Sequence, residues 1–429
     1  MCNQCVGDAG LGGCSKRWTR SNIMASSAAS KFMSIVTDDI LLEIFVRLTD
    51  ARTAIQYSSV CKRWYDLILR NPKFIKKFIH QHHNHRGQLI EYSPHRQYTL
   101  VFGRSHFSNN QDVYYYDSEL SQQVFEESCA LYETPSASYI NFLSYPWLIK
   151  GICNDLLLLV WEKSRDFYVC NPFTRKWLQL PSRPSDFFIA GTGLVCQPDS
   201  SDTADTTRYR FRVVMMSPLN GSAVMFCSET GEWNVSPVYF PGKKELFYGR
   251  HSVVCNGVVY WLDGKDEFYG VAAFDPFKDV DVEGRCRFIE LPVPFGDDGW
   301  QAKADRTCFG ACQDKLRFSL WLKRDNGTFS VMIWELDGDT SWHLVHRLVL
   351  KRANSNDMYV LAFHPNDGDV IFVLCNHHLC RYEIRENKFE QLGKWPDNLA
   401  HQPREPDQAA AFPLVHPFWP SPVPALPSP

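Results

Sequence analysis

Residues Ser34 to Phe78 read SIVTDDILLEIFVRLTDARTAIQYSSVCKRWYDLILRNPKFIKKF, and two amphipathic patterns stand in tandem inside them. In the first, Ile40, Leu41, Ile44, Phe45 and Leu48 fall at i, i+1, i+4, i+5 and i+8, one face of a 3.6-period helix, with Asp39, Glu43 and Arg47 opposite. Thr37 and Asp38 stand just ahead of it, where short oxygen-bearing side chains accept hydrogen bonds from the free amides of a first turn. In the second, Val60, Cys61, Trp64, Leu67 and Ile68 repeat the spacing. Asn71-Pro72 ends that helix, because proline disfavours helical geometry in the residue before it. Ile55 and Val60 are expected to pack between the two helices, and a third apolar run follows in Phe74, Ile75, Phe78 and Ile79. A segment of about 45 residues cannot bury such faces against itself alone, so apolar surface remains for a partner.

The order of these residues resembles the F-box, the small helical module of SCF-type ubiquitin ligases. The resemblance is carried by Val36-Thr37-Asp38-Asp39-Ile40-Leu41, where the family usually has Leu-Pro-x-Asp/Glu-Ile/Leu-Leu. It continues through Ile44, Leu48, Val60-Cys61-Lys62-x-Trp64, Leu67-Ile68 and Pro72-x-Phe74. Thr37 stands where the family usually has proline. The resemblance implies docking on a Skp-type adaptor, and through it on a cullin. The residues it implies for that contact are Val36, Ile40, Leu41, Ile44, Phe45, Leu48, Val60, Cys61, Trp64, Leu67 and Ile68, some of them core rather than contact. Charge agrees: Lys62, Arg63, Arg70, Lys73, Lys76 and Lys77 face Asp66 alone between Cys61 and Lys77, which suits an acidic partner surface.

A chain of 429 residues with 45% apolar content can hold two domains, or one small module and one large one. A net charge of -3 gives no footprint for nucleic acid. No run approaches the roughly 20 apolar residues of a membrane span, and the start MCNQCVGDAGLGGCSKRW lacks the apolar centre of a secretory signal. Fifteen cysteines, an odd number spread singly, point to reduced thiols and so to cytosol or nucleus.

The expected organisation is a disordered arm at 1–33, the F-box at 34–79, a linker at 80–95, a β domain at 96–400 and a solvated proline-rich tail at 401–429. The tail has nine prolines between His401 and Pro429, with Phe418-Trp419 as a docking motif in it. Cys2, Cys5 and Cys14 in the arm lack a fourth zinc ligand, and His80, His82, His83 and His85 read as solvated linker. The β domain is a series of short strands rich in Val, Phe, Tyr and Trp, broken by Gly, Pro, Asn and Asp. Six times a strand runs into a polar turn and then an aromatic: Phe125, Trp177, Trp233, Phe288, Trp342 and Phe389, at steps of 52, 56, 55, 54 and 47 residues. Upstream hairpins at Asn154-Asp155, Asn256-Gly257 and Asn366-Asp367-Gly368 bring each unit to four strands.

Four strands in about 50 residues, repeated, is the pattern of a β-propeller. The fold class expected is therefore α+β multidomain, a small all-α module followed by an all-β propeller of six blades, with the repeating aromatic wedged between blades. This part resembles the kelch-type and F-box-associated domains that follow the F-box in many plant proteins. The matching residues are Gly151-x-Cys153-Asn154-x-Leu156-Leu157, Asn171-Pro172-x-Thr174-x-x-Trp177-x-x-Leu180-Pro181, Cys255-Asn256-Gly257, Asp275-Pro276 and Leu291-Pro292. The double glycine of standard kelch repeats is missing from it.

No nucleophile elbow, phosphate loop, His-Glu-x-x-His or paired Cys-x-x-Cys set is present. Read as one strand, Cys375-Asn-His377-His378-Leu-Cys380 splits its ligands between two faces, so no metal or other cofactor is expected. The resemblance implies a non-catalytic substrate receptor of an SCF ligase, whose propeller holds a protein substrate that the sequence does not name. The insert Gln197 to Arg208 and the stretch Pro294 to Arg306 are long enough to contribute to a binding face. Two other readings stand beside it: a propeller enzyme or small-ligand sensor with an accessory F-box, and an adaptor-binding protein without a ubiquitination role.

Overall fold

In the computed structural model the described residues are 36–49, 51–84, 98–103, 114–117, 147–161, 163–184, 191–198, 209–217, 221–243, 248–264, 267–280, 282–292, 307–323, 328–338, 340–350, 358–376, 378–394, 410–417, 419–421 and 423. The arm at 1–33 with its three cysteines, Phe125, Phe418, most of the linker and nearly all of the two long inserts lie outside them. The chain divides into two compact units, Met1–Gln81 and His82–Pro429.

The first unit holds α1 (Asp38–Val46), α2 (Ala51–Ser58), α3 (Lys62–Leu69) and the start of α4 (Pro72–Asn84). Thr37 is the residue before α1, and its carbonyl accepts the Leu41 amide at 3.1 Å. Neither expected side-chain cap forms there. Thr37 makes no capping bond, and Asp38 is already the first helical residue, turned to Arg63, whose Nε donates to it at 2.8 Å. At α4 the cap does form. Asn71 Oδ1 accepts the amides of Lys73 and Phe74 at 3.1 and 3.3 Å, and Pro72 fills the first helical position, where its missing N–H is harmless. Helix α2 lies between the two expected helices and escapes the apolar pattern because its buried face is Ala51, Ala54 and Ser58. Helix α4 runs to Asn84, into the stretch assigned to the linker, since nothing before Gly87 breaks it.

The second unit begins with β1 (Tyr98–Gly103) and β2 (Tyr114–Asp117). Five sheets then follow in chain order, each of four antiparallel strands. Sheet 1 is β3 (Trp147–Cys153), β4 (Leu156–Trp161), β5 (Phe167–Asn171) and β6 (Lys176–Gln179). Sheet 2 is β7 (Gly191–Pro198), β8 (Tyr209–Met216), β9 (Ser222–Cys227) and β10 (Glu232–Pro237). Sheet 3 is β11 (Tyr248–Cys255), β12 (Val258–Gly264), β13 (Phe268–Phe274) and β14 (Cys286–Glu290). Sheet 4 is β15 (Thr307–Cys312), β16 (Lys315–Lys323), β17 (Phe329–Asp337) and β18 (Ser341–Leu350). Sheet 5 is β19 (Met358–Phe363), β20 (Val370–Cys375), β21 (His378–Glu383) and β22 (Lys388–Lys394). The chain then returns in β23 (Ala410–Val415), which pairs with β1 so that Phe412 lies opposite Val101 and Leu414 opposite Thr99.

Shared cores tie each sheet to the next. Leu158 and Val169 meet Leu194 and Phe211 between sheets 1 and 2, and Val214 meets Trp261 and Phe274 between 2 and 3. Val271 meets Phe318 and Trp334 between 3 and 4, and Ile333 meets Phe363 and Val373 between 4 and 5. The sheet β2-β1-β23 closes the circle: Leu100 packs with Phe372 and Leu379 of sheet 5, and Phe412 and Leu414 pack with Leu157 and Leu159 of sheet 1. The architecture is thus a small helical module followed by a β-propeller.

The expectation of six blades is corrected. Among the described residues five sheets have four strands, and the closing one has three, drawn from both ends of the β unit. The boundary at 400 and the solvated tail are corrected with it. Phe412 and Leu414 are buried at alternate positions, a strand pattern that the surrounding prolines hide. Pro413 is tolerated because β23 is an edge strand.

The hairpins form as expected at Asn256-Gly257, where φ is 50° and 77°, and at Asn154, where φ is 54°. An equivalent turn at Gln313-Asp314 reaches 51° and 55° without any glycine. Trp177, Trp233, Phe288, Trp342 and Phe389 all stand on the outermost strands β6, β10, β14, β18 and β22. The wedge is explicit at two of them: Trp233 Nε1 donates to the Pro181 carbonyl at 2.8 Å, and Trp342 Nε1 donates to the Glu290 carbonyl at 2.9 Å, each in the preceding unit.

Candidate functional site

The apolar residues of the helical unit divide by the face they occupy. Leu41, Phe45 and Val46 point from α1 into the unit's core with Leu67 and Ile68 of α3, while Ile40 and Ile44, one turn apart, are each 53% exposed. Leu48 continues their row half-buried. Val60, between α2 and α3, is 61% exposed, and Cys61 beside it is exposed too. Tyr57 adds an exposed ring that packs edge-on against Trp64 at 6.0 Å, and Trp64 in turn packs on Phe45 at 4.9 Å.

Charged groups pin this surface in place. Arg63 bonds the Asp38 carboxylate and, through Nη2, the Val36 carbonyl at 2.6 Å, tying the start of α3 to the start of α1. Glu43 pairs with Arg47 at 2.8 Å and with Lys77, and Arg70 pairs with Asp66 at 3.3 Å. Of the cations read as facing an acidic partner, Arg63, Arg70 and Lys77 have carboxylates inside the unit. The positive field is weaker than their count implies. What the surface offers a second protein is an exposed apolar row. Three aliphatic side chains half covered by such a partner would contribute roughly 1 kcal/mol each.

A family model described as F-box protein At3g26010-like, beta-propeller matches residues 122–405, and one described as F-box-like matches residues 38–79. The chain belongs to this F-box β-propeller family. F-box protein At3g28330 of Arabidopsis thaliana is 25% identical over 80% of this chain and 82% of the relative. Putative F-box protein At3g23950 is 21% identical over 79% of each, and putative F-box/kelch-repeat protein At1g15680 is 24% identical over 78% of each, both from the same plant.

Within the F-box module the eleven residues named for docking separate into three groups. Ile40, Ile44, Val60 and Cys61 are exposed, Leu48 and Trp64 are half-buried, and Val36, Leu41, Phe45, Leu67 and Ile68 are buried. Val60 was expected to pack between the helices and instead faces outward. Tyr57, exposed beside them, lies on the helix that the apolar pattern does not reveal.

In the propeller, Cys375 and His378 are cross-strand partners on β20 and β21, joined by a turn at Asn376 with φ 49°, so the run is a hairpin rather than one strand. Among the described residues no group of three or more His, Cys, Asp or Glu stands close enough to hold a metal. Burial pushes the Cys255 and Cys308 thiols up to about 12. Such neutral thiols are small hydrophobes and not nucleophiles. Burial likewise lowers His364 to about 4, leaving a neutral imidazole whose Nδ1 accepts the Asn366 amide at 3.1 Å.

Proposed function

We propose that this chain is the substrate-recognition subunit of an SCF-type ubiquitin ligase. The exposed row of the F-box module docks on a Skp-type adaptor and through it on a cullin, while the propeller holds the protein to be modified. Attack of a substrate lysine on the ubiquitin thioester takes place on other subunits, and this chain supplies proximity. The observation that carries the reading is Ile40 and Ile44, two large aliphatic residues half exposed one turn apart, in a module matched as F-box-like. The free, mostly buried cysteines of the described residues fit a reducing compartment, so the proposed setting is cytosol or nucleus.

The test uses the purified full chain and a plant Skp-type adaptor. Ile40→Asp with Ile44→Asp is expected to abolish capture of the adaptor while far-ultraviolet circular dichroism stays unchanged. Charging Leu41, which the sequence alone also recommends, tests something else: its side chain is buried, so a charge there unfolds the module. Capture that survives both exposed charges sinks the proposal.

A further inference from the structure

Asp155 completes the turn between β3 and β4, Asn171 ends β5, and the two side chains meet at one end of sheet 1, both fully buried. Asn171 is fixed by its own turn. Its Oδ1 accepts the amides of Phe173 at 2.9 Å and Thr174 at 3.3 Å, and its Nδ2 donates to Asp155 Oδ2 at 2.6 Å. Beyond β23 the described residues are 416, 417, 419–421 and 423, and Ser421 among them covers this pair. There the Ser421 amide donates to Asp155 Oδ2 at 2.7 Å, and Asn171 Nδ2 donates to the Ser421 carbonyl at 2.7 Å.

Two buried side chains thus read both main-chain groups of one residue. Ser421 stands between Pro420 and Pro422, so its N–H is the one amide hydrogen those three residues possess. Proline on either side also holds such a segment extended at little further entropic cost. Flanking contacts set the frame: His416 bonds Thr99 at 2.8 Å and lies edge-on to Phe173, and Val423 packs on the core shared by sheets 1 and 2. A strap that served only to pack would be held by apolar side chains. This one is held by a buried carboxylate, and burying a carboxylate is costly unless it is hydrogen-bonded; among the described residues Asp155 Oδ1 has no such partner.

The geometry points to a peptide-binding slot at Asp155 and Asn171 that takes an extended segment by its main chain at a residue flanked in sequence by prolines, and that the chain's own Ser421 fills in cis. The slot deepens the receptor reading, because it rests on the propeller being the part that holds a protein segment. Tethering gives the internal segment a high effective concentration, so a segment from another protein enters only by displacing it.

The probe is a labelled peptide of sequence His-Pro-Phe-Trp-Pro-Ser-Pro-Val, titrated against the full chain. Two variants empty the slot with the chain otherwise intact: Ser421→Pro removes the amide that Asp155 accepts, and Val423→Asp puts a charge where Val423 packs. Both are expected to bind the peptide saturably and at least tenfold more tightly than the unaltered chain. Adding Asn171→Ala should remove at least tenfold of that affinity, and a peptide with proline in place of its serine should not bind. Absence of binding to either folded variant overturns the slot. So does unfolding of both variants on melting, since a segment the ring cannot release is a clasp and not a ligand. Adaptor capture is measured on the same proteins. Its loss with peptide binding retained counts against the ligase reading alone, and the converse counts against the slot alone.

Discussion

Ile44 and Leu159 are both aliphatic, and both sit in runs that read as buried faces, yet Ile44 is 53% exposed and Leu159 is 0% exposed. The propeller sheet that carries Leu159 has a neighbour on each side. Leu158 faces sheet 2 while Leu157 and Leu159 face the closing sheet, so both faces of β4 are covered. Among the described residues the F-box module has no such closure. Its helices satisfy a core around Leu41, Phe45 and Ile68 and leave a second apolar row over. A ring completes itself from its own repeats, whereas a module of about 45 residues has more apolar face than it can turn inward. Surplus apolar surface next to a finished core is a sign of a partner.

That contrast is open to direct attack by matched truncations. Leu159→Ala should cost about 2–5 kcal/mol in denaturant unfolding of the propeller, the price of a cavity in a packed interior. Ile44→Ala should stay within about 0.5 kcal/mol in unfolding of the F-box module. Similar losses at the two positions would mean that the exposed row is core after all, and the distinction between the two units would collapse.

Part of this was open to reading from residues alone. Helices α1 and α3 follow from 3.6-period spacing, and the ring follows from aromatics recurring every 47 to 56 residues. Those signals are large side chains at regular intervals. What the sequence conceals has small or interrupted signals. Helix α2 buries alanines and a serine, which carry no apolar weight in a periodicity count. Strand β23 alternates only Phe412 and Leu414 inside a proline-rich stretch, so its place in the closing sheet is masked by composition. Periodicity assigned Ile40 and Leu41 to one face, but a face is wider than a core. Packing alone decides that Leu41 goes in and Ile40 stays out. The bond from Ser421 to Asp155 spans 266 residues, and no spacing rule encodes it.

A smaller effect sharpens the account of why the ring leaves nothing over. If the outer-strand aromatics lock each sheet to the one before, their polar edge as well as their bulk holds the joint. Trp342→Phe keeps most of the ring surface but loses the hydrogen bond to the Glu290 carbonyl. The expected loss is about 1 kcal/mol, and Trp233→Phe, which loses the bond to the Pro181 carbonyl, should match it. Urea unfolding of both variants measures the cost. No change in either would show that area, and not direction, holds neighbouring sheets together.

The smallest effect is at Asp155, where the ring buries a charge that the F-box module keeps at its surface in Asp38. Burial raises the Asp155 carboxyl above the ordinary carboxylate range, and hydrogen bonds from Ser421 and Asn171 pull it partly back. A carboxyl whose value is higher folded than unfolded binds its proton more tightly in the folded ring. Its contribution to stability is therefore fully present below the unfolded aspartate value of about 3.9 and is lost as pH rises through the raised folded value. Asp155→Asn keeps an oxygen to accept the Ser421 amide but removes the titration. The melting temperature of the unaltered chain, taken relative to that variant, should climb as pH falls through this window and level off beneath it. The opposing hydrogen bonds keep the climb small. Parallel pH profiles for the two proteins would show that the buried carboxylate is fully compensated, and a climb with rising pH would mean that Ser421 and Asn171 outweigh burial.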